Sequence, residues 1–300
     1  MKIFDSHCDT ISKIYKCCGG IDENNYHVDV KRMREFENSA QVFAVFVDKK
    51  EAIFSVFDTI MYLIERYFTE ISKYSPKVMH CNNALDIAKN LEKKRVAAML
   101  AIEGGEALEG NIKNVRGFYK LGVRIMTLTW NYDNELGCGI YGGTGGLTEF
   151  GKTVVREMNR LGMIIDVSHL NEAGFWDVIK ISQAPVIASH SNAYACCDQP
   201  RNLTDEQISA LVDMNGYIGL NLYSYFLNGS ANADISDVWR HVEHFEKLGA
   251  GGILGLGCDF DGVDKLPQGI SGVQDICKLQ LNEDITFNNF YNYIWRFFGK

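Results

Sequence analysis

The chain has 300 residues, 46% of them apolar, and its 38 acidic residues outnumber its 30 basic ones to give a formal net charge of -8. That is enough apolar material for a full core, while no run of Lys or Arg is long enough to track a phosphate backbone, which argues against nucleic acid as a partner. No segment approaches the ~20 uncharged apolar residues of a membrane span, Asp5 interrupts the N-terminus before any leader-like stretch, and the odd set of nine cysteines contains no C-x-x-C spacing, so a reduced, cytoplasmic, membrane-free protein is expected.

Along the chain, apolar runs that end in polar or glycine residues recur eight times: Ile3-Phe4, Gln41 to Val47, Val96 to Ile102, Val123 to Leu128, Met163 to Val167, Pro185 to Ala188, Tyr217 to Leu222 and Ile253 to Leu256. Helical periodicity fills the intervals at Ile53 to Tyr74, Ala84 to Leu91, Glu149 to Leu161, Ile208-Leu211-Val212 and Val238-Val242-Phe245-Leu248. Strands alternating with helices in this way predict an α/β fold, a (β/α)8 barrel of TIM type. With four prolines and glycine clusters only at turns, nothing reads as a linker, so one catalytic domain is expected over residues 1–300. A doubly wound open sheet is the alternative, but it would scatter the polar strand ends along an edge.

In a barrel the residues after each strand converge on one mouth, and the chemistry-bearing residues of this chain fall there. His7 and Asp9 follow the first run, and two residues apart they share a face of an extended backbone. Glu103 follows the third run, Trp130 the fourth, His169 the fifth, His190 the sixth, Tyr223 the seventh and Asp259 the eighth. His169 and His190 are 21 residues apart, one strand-helix-strand unit, so their imidazoles should meet. Three strand ends that offer nitrogen and carboxylate ligands suggest a metal site, with Glu103 either bridging two ions or merely capping the turn that follows it. Asp259, at the end of the last run, suits a general acid/base.

Three motifs read as decoys. Gly146 to Thr153 matches the phosphate-loop pattern G-x-x-x-x-G-K-T, followed by Asp166 in the manner of a magnesium carboxylate, but a glycine-rich loop and no strand precedes it. Thr148 reads instead as the N-cap of the helix Glu149 to Leu161. Gly257 to Gly262 lacks the further acidic positions of a calcium loop. His241 and His244, at helical spacing in a charged segment, are expected to face solvent, and His27 and His80 have no companions and receive no role.

With these positions in hand, the chain resembles the membrane (renal) dipeptidase family of zinc peptidases in its bacterial, unanchored form. The resemblance rests on ordered blocks over nearly the whole length: Asp5-Ser6-His7-Cys8-Asp9-Thr10, Ile102-Glu103-Gly104-Gly105, Met126-Thr127-Leu128-Thr129, Gly146 to Gly151, Ile165 to His169, Ser189 to Tyr194, Arg201-Asn202 and Asp259 to Gly262. It implies two zinc ions, one on His7 and Asp9 and one on His169 and His190, bridged by Glu103. It also implies hydrolysis of dipeptides, with Arg201 clamping the substrate carboxylate, Tyr223 on the substrate side and Asp259 as acid/base. A homodimer is compatible with it.

Two departures stand out. Many members carry a histidine after the residue matching Thr129, one that touches the substrate carbonyl; this chain has Trp130, so either Asn131 or the zinc ions take over that task, or turnover is weaker. The chain also stops at Lys300, near where members usually continue into more helix. Alternatives to a dipeptidase are an amidohydrolase acting on a β-lactam or cyclic amide, a nucleotide-binding protein, and a catalytically silent metal-binding module.

Overall fold

All eight apolar runs form parallel strands. In a computed structural model that describes residues 1–52 and 54–299, they are β1 (Lys2–Cys8), β2 (Asn38–Val45), β4 (Val96–Glu103), β5 (Val123–Thr127), β6 (Ile164–Asp166), β7 (Ile187–Ala188), β8 (Tyr217–Leu220) and β9 (Leu254–Leu256). The ring runs β1-β2-β4-β5-β6-β7-β8-β9 and closes on β1 through the pairing of Asp5 with Leu256. Closure into a (β/α)8 barrel rules out the open doubly wound sheet. A ninth strand, β3 (Val78–His80), was not anticipated; it pairs with Val96 to Ala98 of β4, on the edge that β5 takes up only from Leu100 onward.

The helices are α1 (Thr10–Cys17), α2 (Val30–Met33), α3 (Val56–Lys73), α4 (Ala84–Glu92), α5 (Ile112–Lys120), α6 (Glu149–Leu161), α7 (Glu172–Ile181), α8 (Asp205–Asp213), α9 (Ser224–Asn228), α10 (Ile235–Lys247) and α11 (Asn289–Phe298). The expected helix from Ile53 to Tyr74 is α3, although Ile53 itself lies outside the described residues. Helix α6 begins where the sequence placed it: the Thr148 hydroxyl accepts from the Gly151 amide at 3.0 Å. Among the described residues no strand precedes that loop, and Lys152 is paired with Glu149 at 2.7 Å, so the phosphate-loop match is a helix cap.

Successive strand residues serve two different cores, because a pleated strand turns alternate side chains to opposite faces. On β2 and β4, Ala40, Val42, Ala44, Ala97, Met99 and Ala101 point into the barrel, while Phe43, Val45, Ala98, Leu100 and Ile102 pack against the helices. Four of the six inward residues are alanine. The space they leave is taken by aromatic rings at the lower end, where Phe290 of α11 lies 4.5 Å from Phe4 and 4.3 Å from Tyr217, ring centre to ring centre. By the same alternation Glu103, two residues beyond Ala101, inherits the inward face at the upper end.

Two histidines depart from expectation. His241 is fully buried, not solvent-facing: its Nδ1 accepts from the Ala193 amide at 3.1 Å and its Nε2 lies 2.9 Å from the Leu227 carbonyl, so it ties α10 to the loop after β7. Burial pushes that ring down to about 4, which keeps it neutral and able to accept. His244 is half-buried against Asp205 at 2.7 Å. The helical period of this segment was legible, but the docking of its charged face was not.

Because Phe290 closes the end of the barrel opposite the mouth, truncating it should cost stability without touching the chemistry. Phe290→Ala is expected to destabilise the fold by ~3–5 kcal/mol, read as a lower urea midpoint, with the metal content of the folded protein unchanged. A midpoint within error of the parent would show that the aromatic plug is not a core element.

Candidate active site

A cavity of about 750 Å³ opens at the C-terminal rim of the strands, lined in part by Asp9, Glu103, Trp130, His169, Arg201 and Asp259. Asn131 and Tyr223 also line it. His7 and His190, nearly fully buried, complete the cluster. Glu103 stands at its centre, and its two oxygens divide the imidazoles. Oε2 is 3.6 Å from His7 Nε2, while Oε1 is 2.9 Å from His169 Nε2 and 3.7 Å from His190 Nε2. His7 Nε2 also lies 3.3 Å from Asp9 Oδ2 and 3.9 Å from Asp259 Oδ1. The rings of His169 and His190 meet as the spacing predicted, Nε2 to Nε2 at 2.8 Å.

Backbone strain aims two of these groups. His169 and Asp259 have φ of 70° and 60°, left-handed conformations that side-chain-bearing residues adopt at a cost of roughly 1–2 kcal/mol. Gly262 is required by space: a Cβ there would lie 2.4 Å from both Asp259 Oδ1 and Asp9 Oδ2, filling the gap between the two carboxylates.

A second layer of polar groups fixes the rings. Asp166 accepts from Thr127 Oγ1 at 2.6 Å and Ser189 Oγ at 2.5 Å, and the Ser189 hydroxyl meets His190 Nδ1 at 2.7 Å. Asn131 Oδ1 lies 2.8 Å from His169 Nδ1, so the side-chain carbonyl of Asn131 is committed to a ring and only its amide nitrogen remains for the cavity. Asn221, which the sequence reading did not single out, donates to Asp259 Oδ2 at 2.9 Å. With Nδ1 of His169 and of His190 engaged, each Nε2 is left to face Glu103.

Electrostatically the cluster is unfinished. Burial, reinforced by the charge of Asp9, pushes the Glu103 carboxyl up to about 7, and burial likewise raises Asp259. Burial holds His169 and His190 well below the ordinary imidazole range, so both are neutral with lone pairs available. His7 lies well above it: burial opposes its charge, but Glu103 and Asp9 prevail. His7 Nε2 and Asp9 Oδ1 are buried with no hydrogen-bond partner among the described residues. Orphaned donor atoms, a gap only glycine tolerates and a set of imidazoles and carboxylates fit divalent cations of the zinc type. Two overlapping groups meet metal-ligand distances: His7, Glu103 and His190, and His7, Asp9 and Asp259. Asp259 therefore stands where a ligand could also stand.

Arg201 is buried, donates from Nη2 to the His190 carbonyl at 3.4 Å, and leaves Nε without a partner among the described residues. Its guanidinium lies over the Phe226 ring at 5.6 Å. Trp130 forms a cavity wall, 4.9 Å from Phe46 and 6.5 Å from His169 between ring centres. His27, which received no role, also lines the cavity: its Nδ1 accepts from the Asp261 amide at 2.9 Å. No sequence signal marks it, because its partner is 234 residues away.

The membrane dipeptidase family (peptidase family M19) matches residues 1–283. A Klebsiella pneumoniae protein described as uncharacterized, from the pqqA 5' region, is 37% identical over 210 residues, 66% of this chain and 77% of that protein. An uncharacterized dipeptidase of Schizosaccharomyces pombe is 33% identical over 269 residues, 84% of this chain but 64% of that protein's length. Among solved structures, a metallopeptidase of Rhodobacter sphaeroides, bound to a phosphinate mimic of the dipeptide L-Ala-D-Ala, superposes with a TM-score of 0.89 at 27% identity over 99% of both chains. A dipeptidase described as an M19 metallopeptidase gives 0.93 at 28% identity over 100% of this chain and 99% of that one. Among the described residues no helix is long and apolar enough to cross a membrane. The barrel, the strand-end cluster and these matches lead to one conclusion: the chain belongs to the membrane dipeptidase family, a family of metallo-dipeptidases.

Proposed function

We propose that this chain is a dinuclear zinc dipeptidase, with residues 1–300 acting as one catalytic unit. The observation that carries the reading is the division of the Glu103 oxygens between His7 on one side and the His169–His190 pair on the other. His7 and Asp9 would hold one ion, His169 and His190 the second, and Glu103 both. Zinc bound there supplies Lewis acidity to a carbonyl oxygen and brings the pKa of water toward neutrality.

The remaining roles belong to the chain's own groups. Arg201, with an unpartnered Nε, forks onto the free carboxylate of the substrate and sets its register. Asp259 keeps its proton to higher pH than an ordinary carboxyl because it is buried, and Asn221 holds its other oxygen. It can therefore hand that proton to the departing amine nitrogen. Trp130 and Phe46 exclude water from one side. Trp130 makes no side-chain hydrogen bond among the described residues, and with Oδ1 of Asn131 held by His169 its amide nitrogen is a donor left for the cavity.

Three outcomes are expected. The purified protein should carry close to two equivalents of zinc or a similar divalent ion, and His169→Ala or His190→Ala should lower that content and abolish dipeptide hydrolysis, read by metal analysis alongside activity. Full activity in metal-free protein would sink the reading. Arg201→Ala should lower kcat/KM by roughly 10- to 100-fold and erase discrimination between a dipeptide and its C-terminal amide. Asp259→Asn should slow turnover of every dipeptide by ~10²- to 10⁴-fold while retaining both ions. Loss of an ion from that variant would make Asp259 a ligand and assign the proton to another group.

A further inference from the structure

The cavity is much roomier than a pair of small residues requires, and one wall carries charge that the hydrolytic cluster does not use. That wall is α1 and the loop before α2. Lys13 lies one turn beyond Asp9, its amide donating to the Asp9 carbonyl at 2.9 Å, and its half-buried side chain lines the cavity. It forms no ion pair or side-chain hydrogen bond among the described residues, whereas Lys16, a turn further on, is held by Glu51 at 2.5 Å. Beside it stands His27. Because His27 Nδ1 accepts the Asp261 amide, the ring's proton sits on Nε2, and that N–H has no partner among the described residues. Burial, helped by the Lys13 charge and opposed by Asp261, holds the ring below its ordinary range, so the neutral tautomer is the one presented.

No carboxylate of that wall is in ion-pair contact with Lys13 among the described residues, although Asp261 lies 3.7 Å from His27 Nδ1. Asp261 has both oxygens taken, Oδ1 by the His27 amide at 2.7 Å and Oδ2 by the Thr10 hydroxyl at 2.6 Å. Asp264 is exposed at the rim. The order of groups across the mouth sets Lys13 on the Asp9 side of the cluster. Arg201 contacts the His190 backbone, the His169–His190 pair and Glu103 follow, then His7 and Asp9, and Lys13 stands one turn past Asp9. If Arg201 clasps the C-terminal carboxylate and the scissile bond lies over the cluster, the side chain extending to Lys13 belongs to the N-terminal residue.

We propose that Lys13 and the Nε2–H of His27 form a specificity site for dipeptides whose N-terminal residue bears a carboxylate side chain, Asp or Glu. This rests on the dipeptidase reading and deepens it. The test uses the metal-loaded protein and initial rates on Glu-Ala, Gln-Ala and Ala-Ala, each in all stereochemical combinations. Glu-Ala should exceed its isosteric amide Gln-Ala in kcat/KM by about tenfold or more, since a charge-assisted contact replaces a neutral one. Lys13→Met should bring that ratio to within about twofold, and His27→Phe should reduce it. The parent protein alone gives a second readout, because the preference should shrink as salt is raised. Equal rates on Glu-Ala and Gln-Ala in the parent, or a preference that survives Lys13→Met, overturns the specificity site. Hydrolysis of Ala-Ala without any charge preference overturns it while leaving the dipeptidase reading intact. Failure to hydrolyse any of the peptides with both ions bound overturns the two together.

Discussion

A buried carboxylate set among three imidazoles is the constraint on which the rest of this structure depends. Glu103 is 5% exposed and shares its surroundings with Asp9 and Asp259, so three largely buried acids crowd one end of the cavity. Taking an ionised carboxylate out of water costs several kcal/mol unless cations or hydrogen bonds replace its hydration. Imidazoles alone do not close that balance. His169 and His190 are neutral by burial, which leaves His7 as the cationic ring. Against three carboxyls the chain sets the His7 ring and the Arg201 guanidinium, and a further cation would complete that balance.

The cost of that arrangement is spread through the barrel. The small inward residues of β2 and β4 bring neighbouring strands and the α11 plug together at the lower end, and the dense helix contacts outside hold the strand ends at fixed spacing. Only a rim held this firmly can keep His169 and Asp259 in left-handed conformations. The same rigidity lets one residue position another. Asp166 reaches His190 through Ser189, Asn131 sets His169 and Asn221 sets Asp259, so the rotation of each ring or carboxyl is decided one contact away from the chemistry.

Much of this was legible in the sequence because it follows from period and position. Alternating or continuous apolar runs located every barrel strand, and chemistry-bearing residues after seven of the eight located the mouth. The short strand Val78–His80 escaped because three residues carry no period, and its pairing depends on the length by which β4 outruns β5. The burial of His241 escaped because it depends on where the Ala193 amide and the Leu227 carbonyl arrive in space. Asp166 was visible only as part of a phosphate-loop match set aside as a decoy; the fold shows that its carboxylate is consumed by Thr127 and Ser189. Contacts made across dozens or hundreds of residues leave no local trace, and the supporting layer of the site consists almost entirely of them.

The division of labour around the mouth follows the same logic. The groups that gather the cluster lie on strand ends, where the pleat and the closed ring fix them together. The walls that meet the rest of a substrate come from segments just beyond the strands: Trp130 and Phe46 on one side, α1 and the loop bearing His27 on the other. A tryptophan at position 130 gives the first wall an apolar face, and Lys13 gives the second a cation with no ion pair among the described residues. A barrel can therefore keep one reactive centre while the chemistry of what it accepts is set by side chains that contribute nothing to closing the ring. In this chain those side chains are an aromatic pair and a lysine, so selection between substrates is expected to act through shape on one wall and charge on the other.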